Sequence, residues 1–235
     1  QSDDVAGASA RPISETNVRI QSHARPGARV ARGLAGGDDE RVCKPDRNVE
    51  IGREGRLAVI CGCMFSGKSE HLIARVRSAR QHGLRVAVFK HASDTRYDPR
   101  DIVTHSHQRL AAEPVPRAES LAIAAGAADV VAVDEAQFFD AALPAVCRRL
   151  ADAGRHVIAV GLDRDSWGLP FASMRELMDA ADEVVRTCAR CAQCGRKAEY
   201  TQRVAPIGDT MIGGGEAYEP RCERCFAAPP LELRR

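Results

Sequence analysis

Residues 62–69 read Gly-Cys-Met-Phe-Ser-Gly-Lys-Ser, a complete G-x-x-x-x-G-K-S phosphate loop. Such a loop works only between a buried strand and the first turn of a helix, so it dictates how the chain around it folds. Both flanks comply. Leu57-Ala58-Val59-Ile60-Cys61 is uncharged and mostly branched, as a strand buried on both faces would be. Leu72, Ile73 and Val76 recur at helical spacing, with Arg75, Arg77 and Arg80 between them. Gly62 and Gly67 let the backbone turn its N–H groups toward an anion at the positive end of that helix. Cys63, Met64, Phe65 and Ser66 complete the cradle, Lys68 reaches the β- and γ-phosphates, and the Ser69 hydroxyl is placed to ligate Mg²⁺. A chance match in a glycine-containing loop is the competing reading, and two correct flanks disfavour it. The pattern implies a nucleoside triphosphate site.

Downstream, Gly83 stops the helix and Val86-Ala87-Val88-Phe89 forms a second strand, which gives a β-α-β unit with a right-handed parallel crossover. A polar loop over residues 91–109 holds Asp94-Thr95-Arg96-Tyr97 and three histidines, 91, 105 and 107. No carboxylate or cysteine stands with them at ligand spacing, so they read as solvated loop histidines. Asp129-Val-Val-Ala-Val-Asp134-Glu135 is an apolar strand ending in two acids. Phosphate-loop enzymes use such a terminal Asp to hold Mg²⁺, and Glu135 stands where it can act on a nucleophile beside the γ-phosphate. A helix from Leu143 to Ala153, stopped at Gly154, and a strand from His156 to Gly161 continue the alternation. The expected class is α/β: a parallel sheet with helices on both faces and ligands at the carboxyl ends of the strands.

From Cys188 onward the chain changes character. Cys191-Ala-Gln-Cys194-Gly and Cys222-Glu-Arg-Cys225 are two C-x-x-C pairs, which fit a closed tetrahedral Zn²⁺ site with a structural role. Cys188 is a competing thiol in step with them, although Gly195 favours the 191/194 pair. The intervening stretch, Gly195 to Arg221, exceeds the compact spacing of most zinc ribbons and carries Gly213-Gly214-Gly215 and Tyr218. Nine cysteines is an odd count, and no apolar signal core opens the chain, so reduced thiols and a cytoplasmic location are expected. A net charge of +2 argues against nucleic acid or an anionic membrane as partner. Residues 1–50 lack any helical or strand period and have the composition of a disordered extension. The expected division is a disordered 1–50, a phosphate-loop α/β domain over 55–187, a zinc-binding domain with a substrate loop over 188–228, and a flexible tail at 229–235.

The ordered set of motifs resembles the cytosolic-type thymidine kinases of bacteria, animal cytosol and poxviruses. The similarity runs over about residues 55–227: Gly62 to Ser69, Asp94-Thr-Arg-Tyr97, Asp134-Glu-Ala-Gln-Phe-Phe139, Tyr200-Thr-Gln-Arg203, Gly213 to Tyr218 and the paired cysteines. The resemblance implies transfer of the ATP γ-phosphoryl group to the 5′-hydroxyl of thymidine, giving dTMP. It also implies roles. Lys68 and Arg96 would stabilise phosphoryl charge, Ser69 and Asp134 would hold Mg²⁺, and Asp94 and Gln137 would join the nucleotide site. Glu135 would be the general base. Phe138 and Tyr218 would flank the thymine, Thr201 would approach its methyl group, and backbone at Met211, Ile212 and Gly213 would read its edge. A homotetramer inhibited by dTTP is implied as well.

Two features depart from that family. The stretch from Arg203 to Gly213 looks shorter than in typical bacterial members. Within Asp163-Arg-Asp-Ser-Trp-Gly-Leu-Pro-Phe171, Ser166 stands where the family usually has a pocket Phe. Either Trp167 turns its indole into that space, or it packs elsewhere and the pocket loses a wall. The competing functional class is a zinc-containing phosphate-loop ATPase acting on nucleic acid; near-neutral charge and the lack of an aromatic–basic stripe speak against it.

Overall fold

The computed structural model describes residues 55–94, 100–104, 106–205 and 215–233. The expected extension over 1–50 lies outside the described residues, as do Arg96, Met211, Ile212 and Gly213. In chain order the larger unit comprises β1 (Arg56–Cys61), α1 (Lys68–Gln81), β2 (Val86–His91), β3 (Asp101–Val103), β4 (Arg109–Ala111) and β5 (Glu113–Val115). It continues through α2 (Ala118–Ala124), β6 (Val130–Asp134), α3 (Leu143–Asp152), β7 (His156–Gly161), α4 (Ala172–Ala180) and β8 (Glu183–Arg186). A smaller unit follows, with β9 (Ala189–Arg190), β10 (Lys197–Ala198), β11 (Tyr200–Arg203) and β12 (Tyr218–Arg221).

Six strands make one sheet in the order β5-β2-β6-β7-β1-β8, and every neighbouring pair is parallel. Parallel strands are covered on both faces, which is why Leu57–Cys61, Val130–Val133 and Val157–Val160 are apolar throughout and fully buried. Side-chain alternation divides these runs between two cores. Leu57, Val59, Val131, Val133, Val157 and Ala159 pack with Leu121 of α2, Leu143 and Val146 of α3, and Met174 and Leu177 of α4. Ile60, Val130, Ala132, Ile158 and Val160 pack with Leu72, Ile73 and Val76 of α1 and with Ile102 and Leu110 of the β3–β4 hairpin. The first crossover is wider than a nearest-neighbour β-α-β unit, because β6 and β7 insert between β1 and β2. That insertion places the acidic end of β6 near the phosphate loop, with the end of β7 between them.

The smaller unit is two antiparallel pairs, β9–β10 and β11–β12. It stands on the large unit through side chains. The Arg164 guanidinium of the large unit lies 4.8 Å from the ring centre of Tyr200, which is itself stacked at 4.6 Å on Phe226 within the smaller unit. Trp167 is buried there, its indole N–H donating to the Pro230 carbonyl at 3.1 Å. Residues 231–233 form a short 3-10 turn just beyond this anchor.

Candidate active site

Strand β1 ends at Cys61, and residues 62–67 carry the chain to α1. Gly62 lies at φ 149° directly against Thr187, where a Cβ would come within 2.4 Å of the Thr187 carbonyl oxygen. Thr187 in turn steadies the loop. Its hydroxyl donates to the Cys61 carbonyl at 3.0 Å and lies 2.7 Å from the Ser66 hydroxyl. The Ser66 hydroxyl donates to the Cys63 carbonyl at 2.7 Å. Helix α1 starts from a left-handed Gly67, so its unpaired first-turn N–H groups face the loop. The Lys68 ammonium donates to the Cys63 carbonyl at 2.6 Å.

Strand β6 delivers the acids. The Ser69 hydroxyl donates to Asp134 Oδ2 at 3.3 Å, and the Glu135 amide donates to Asp134 Oδ1 at 3.0 Å. Burial first, then the charges of Glu135 and Asp94, push the Asp134 carboxyl up to about 7, against the Glu135 amide and Lys68. Asp134, Glu135 and Asp94 with the Ser69 hydroxyl are a hard oxygen donor set, and they fit a divalent cation such as Mg²⁺. Glu135 itself sits at φ 53°, ψ 40°, where the chain leaves β6 for a 3-10 turn over Ala136–Phe138. The Gln137 amide holds its carboxylate: Nε2 donates to Glu135 Oε2, while Oε1 accepts from the Leu162 amide at 3.0 Å. Gly161, at the end of β7, makes room for this bridge, since a Cβ there would lie 2.6 Å from Gln137 Oε1.

One cleft collects these groups. Its walls are residues of the phosphate loop and first turn of α1, Lys90 of β2 and Asp94 beyond it, strand β3, Asp134 and Glu135, and Gly161–Leu162. It lies at the carboxyl ends of the parallel strands, where the α/β class expects ligands. Phe138, Thr201 and Tyr218 do not line it. Thr201 is buried, with its hydroxyl accepting from the Met64 amide at 3.0 Å, so it braces the phosphate loop. Phe138 lies 6.3 Å from the His91 ring, and the Tyr218 hydroxyl accepts from Arg203 at 3.0 Å. His91 is half-buried, edge-on to Phe139 at 4.9 Å, which corrects the solvated-loop reading at this position. The sequence reading passed over Thr187, Lys90 and Gly161. Lys90 carried a usable signal, a charge at the carboxyl end of an apolar parallel strand; the other two did not.

The four sulfurs of Cys191, Cys194, Cys222 and Cys225 lie within 4.8 Å of one another. Gly195 closes the first knuckle, its amide donating to the Cys191 carbonyl at 2.8 Å. Burial alone would raise the Cys191 thiol, but N–H donors from Cys222, Cys194 and Gln193 outweigh it and bring it down to about 6. Four sulfurs converging from two tight knuckles suit a soft dication held tetrahedrally, as Zn²⁺ is. Cys188 is not one of the four. Trp167 is fixed on Pro230, within a loop where Asp165 accepts from the Trp167 and Leu169 amides, and it does not line the cleft.

A phosphate cradle after β1, an acid pair after β6 and a wholly parallel sheet define a phosphate-loop nucleotide-binding α/β protein with an appended tetrathiol module. The family model described as thymidine kinase matches residues 55–226. The chain is 45% identical over 179 residues to a thymidine kinase of Rhodothermus sp. (strain ITI 518), covering 76% of this chain and 84% of that protein. It is 43% identical to the thymidine kinase of Bacteroides thetaiotaomicron, covering 77% and 92%, and 41% identical to that of Porphyromonas gingivalis, covering 76% and 89%. The chain belongs to the thymidine kinase family.

Proposed function

We propose that this chain transfers the γ-phosphoryl group of ATP to the 5′-hydroxyl of thymidine. The observation that carries this reading is the convergence of Lys68, Ser69, Asp134 and Glu135 on one cleft in a member of this family. Phosphoryl transfer asks the protein mainly for position and charge. Lys68 and first-turn N–H groups stabilise phosphate charge, and Arg96 is assigned to help. Mg²⁺, held by Ser69 and Asp134, would neutralise phosphate oxygens when bound. Glu135 takes the proton from the attacking hydroxyl, its carboxylate aimed by Gln137. Phe138, Tyr218 and the backbone at Met211–Gly213 are assigned to the thymine. Thr201, engaged with Met64, serves that pocket by holding the loop beside it. The tetrathiol set is assigned a structural Zn²⁺.

The same reading includes a cytoplasmic homotetramer inhibited by dTTP; among the described residues, no helix is long and apolar enough to cross a membrane. Light scattering should give four copies of a 25.4 kDa chain. The deciding assay supplies labelled ATP with either thymidine or single-stranded DNA. Label in dTMP is expected. Phosphate release stimulated by DNA, with no dTMP formed, would overturn the kinase reading in favour of an ATPase.

A further inference from the structure

We propose that Lys90 is a positioning residue of the nucleotide site, acting through Asp94; the inference rests on the kinase reading above. Lys90 is only 1% exposed, although lysine is almost never fully buried without a dedicated partner. Its ammonium lies 3.0 Å from Asp94 Oδ2 and donates to the Asp101 carbonyl at 3.2 Å. Asp94 follows β2 and Asp101 opens β3, so one ammonium fixes the spacing of two segments that wall the same cleft. An apolar side chain would pack at this depth without the desolvation cost of a charge, so packing alone does not account for a lysine here.

Position supplies the reason. Lys90 is the register partner of Asp134 across the β2–β6 pair, at the carboxyl ends of both strands. Asp94, Asp134 and Glu135 line the cleft together with it. Three carboxylates so close repel one another, and each is free to swing unless something holds it. The Lys90–Asp94 pair removes one carboxylate from that competition and orients it toward the cleft. A merely structural ion pair would give stability without bearing on nucleotide; a positioning role ties the pair to bound Mg²⁺-ATP.

A double-mutant cycle on the full chain separates the two. K90M, D94N and K90M/D94N are compared for binding of a fluorescent N-methylanthraniloyl ATP with Mg²⁺, and for kcat and the thymidine KM. Each single change should weaken probe binding by about 10-fold, the low end for residues that orient a metal or phosphate site. Thymidine KM should stay within about twofold while kcat falls, and the double variant should be no worse than either single. Unchanged probe binding in K90M, or losses that multiply in the double variant, would overturn the proposal. Circular dichroism checks folding; if K90M does not fold, K90Q enters the cycle under the same criterion. A chain that binds the probe but makes no dTMP tells against the kinase reading alone, and the binding cycle still decides the role of Lys90.

Discussion

Glu135 occupies a left-handed backbone conformation, φ 53° and ψ 40°, that costs a residue with a Cβ of order 1–3 kcal/mol. The surroundings impose it. The Phe138 amide donates to the Glu135 carbonyl at 3.0 Å, Asp134 accepts from its amide, and Gln137 grips its carboxylate. Strain held by three separate contacts aims a side chain, and here it aims the assigned base. Glu135→Gln should lower kcat by roughly 10²–10⁴-fold while ATP still binds, as expected for loss of a general base. Gln137→Leu removes the clamp and leaves the base present, so kcat should fall by a smaller factor, about 10–100-fold. Steady-state kinetics with a separate ATP-binding measurement checks both; equal losses would mean that Gln137 does more than aim Glu135. Trp167 makes the opposite case. Its indole is buried on Pro230, so Trp167→Ala should cost about 3–5 kcal/mol of stability and leave the thymidine KM unchanged. Urea unfolding beside kinetics tests this, and a raised KM would return the indole to the pocket.

At the scale of elements, the tetrathiol module and the phosphate loop are one mechanical unit. Cys63 packs in the same apolar cluster as Cys191 and Cys222, and its thiol donates to the Ala198 carbonyl at 3.4 Å. One residue further on, the Met64 amide is held by Thr201. Reading the cysteine spacing alone, one expects chelation to loosen the stretch between the pairs first and to leave the phosphate loop competent. These contacts predict otherwise. Chelating Zn²⁺ should weaken binding of the fluorescent ATP analogue as well as thymidine, and Thr201→Val, which strands the Met64 N–H, should reproduce part of the nucleotide defect with metal still bound. Full retention of nucleotide affinity in the zinc-free chain would refute the coupling. Residues 62–69, the acidic end of β6 and the two C-x-x-C pairs were legible because each is a local pattern whose chemistry fixes its spacing. The tie between them was not. Cys63 and Ala198 stand 135 positions apart, and Met64 and Thr201 stand 137 apart. Nothing in a short window encodes such a pairing. Strand order was hidden for the same reason, since apolar runs reveal burial but not which run lies beside which.

Across the whole molecule, the parallel sheet gives the chain two unlike ends. The carboxyl ends of the strands gather the acids of the cleft, while the amino ends gather Arg56, His156 and Glu183, with Arg75 of α1 beside them. Arg75 is 4% exposed and lies 2.9 Å from Glu183. His156 opens β7 at 3% exposure, and its Nε2 has no hydrogen-bond partner among the described residues. Burial first, then Arg75 and Arg56, lower its pKa from 6.5 to about 4, against the opposing charge of Glu183. A histidine kept neutral in the folded state stabilises fully above its unfolded pKa. Between 6.5 and about 4 the unfolded chain takes up a proton that the folded chain refuses, so stability declines as pH falls through that window. From the two values, wild-type protein should lose roughly 2 kcal/mol more than a His156→Gln variant on going from pH 7 to pH 5. Urea unfolding of both proteins at the two pH values isolates this contribution, because carboxylates and thiols common to both cancel in the comparison. Equal acid losses in the two proteins would mean that the buried histidine is not the source. The cleft at the opposite end holds its own pH-sensitive group in Asp134, and Gln at position 156 leaves that group untouched. The variant should therefore keep the wild-type pH profile of kcat while its stability profile flattens, which separates the acid limit of the fold from that of the reaction.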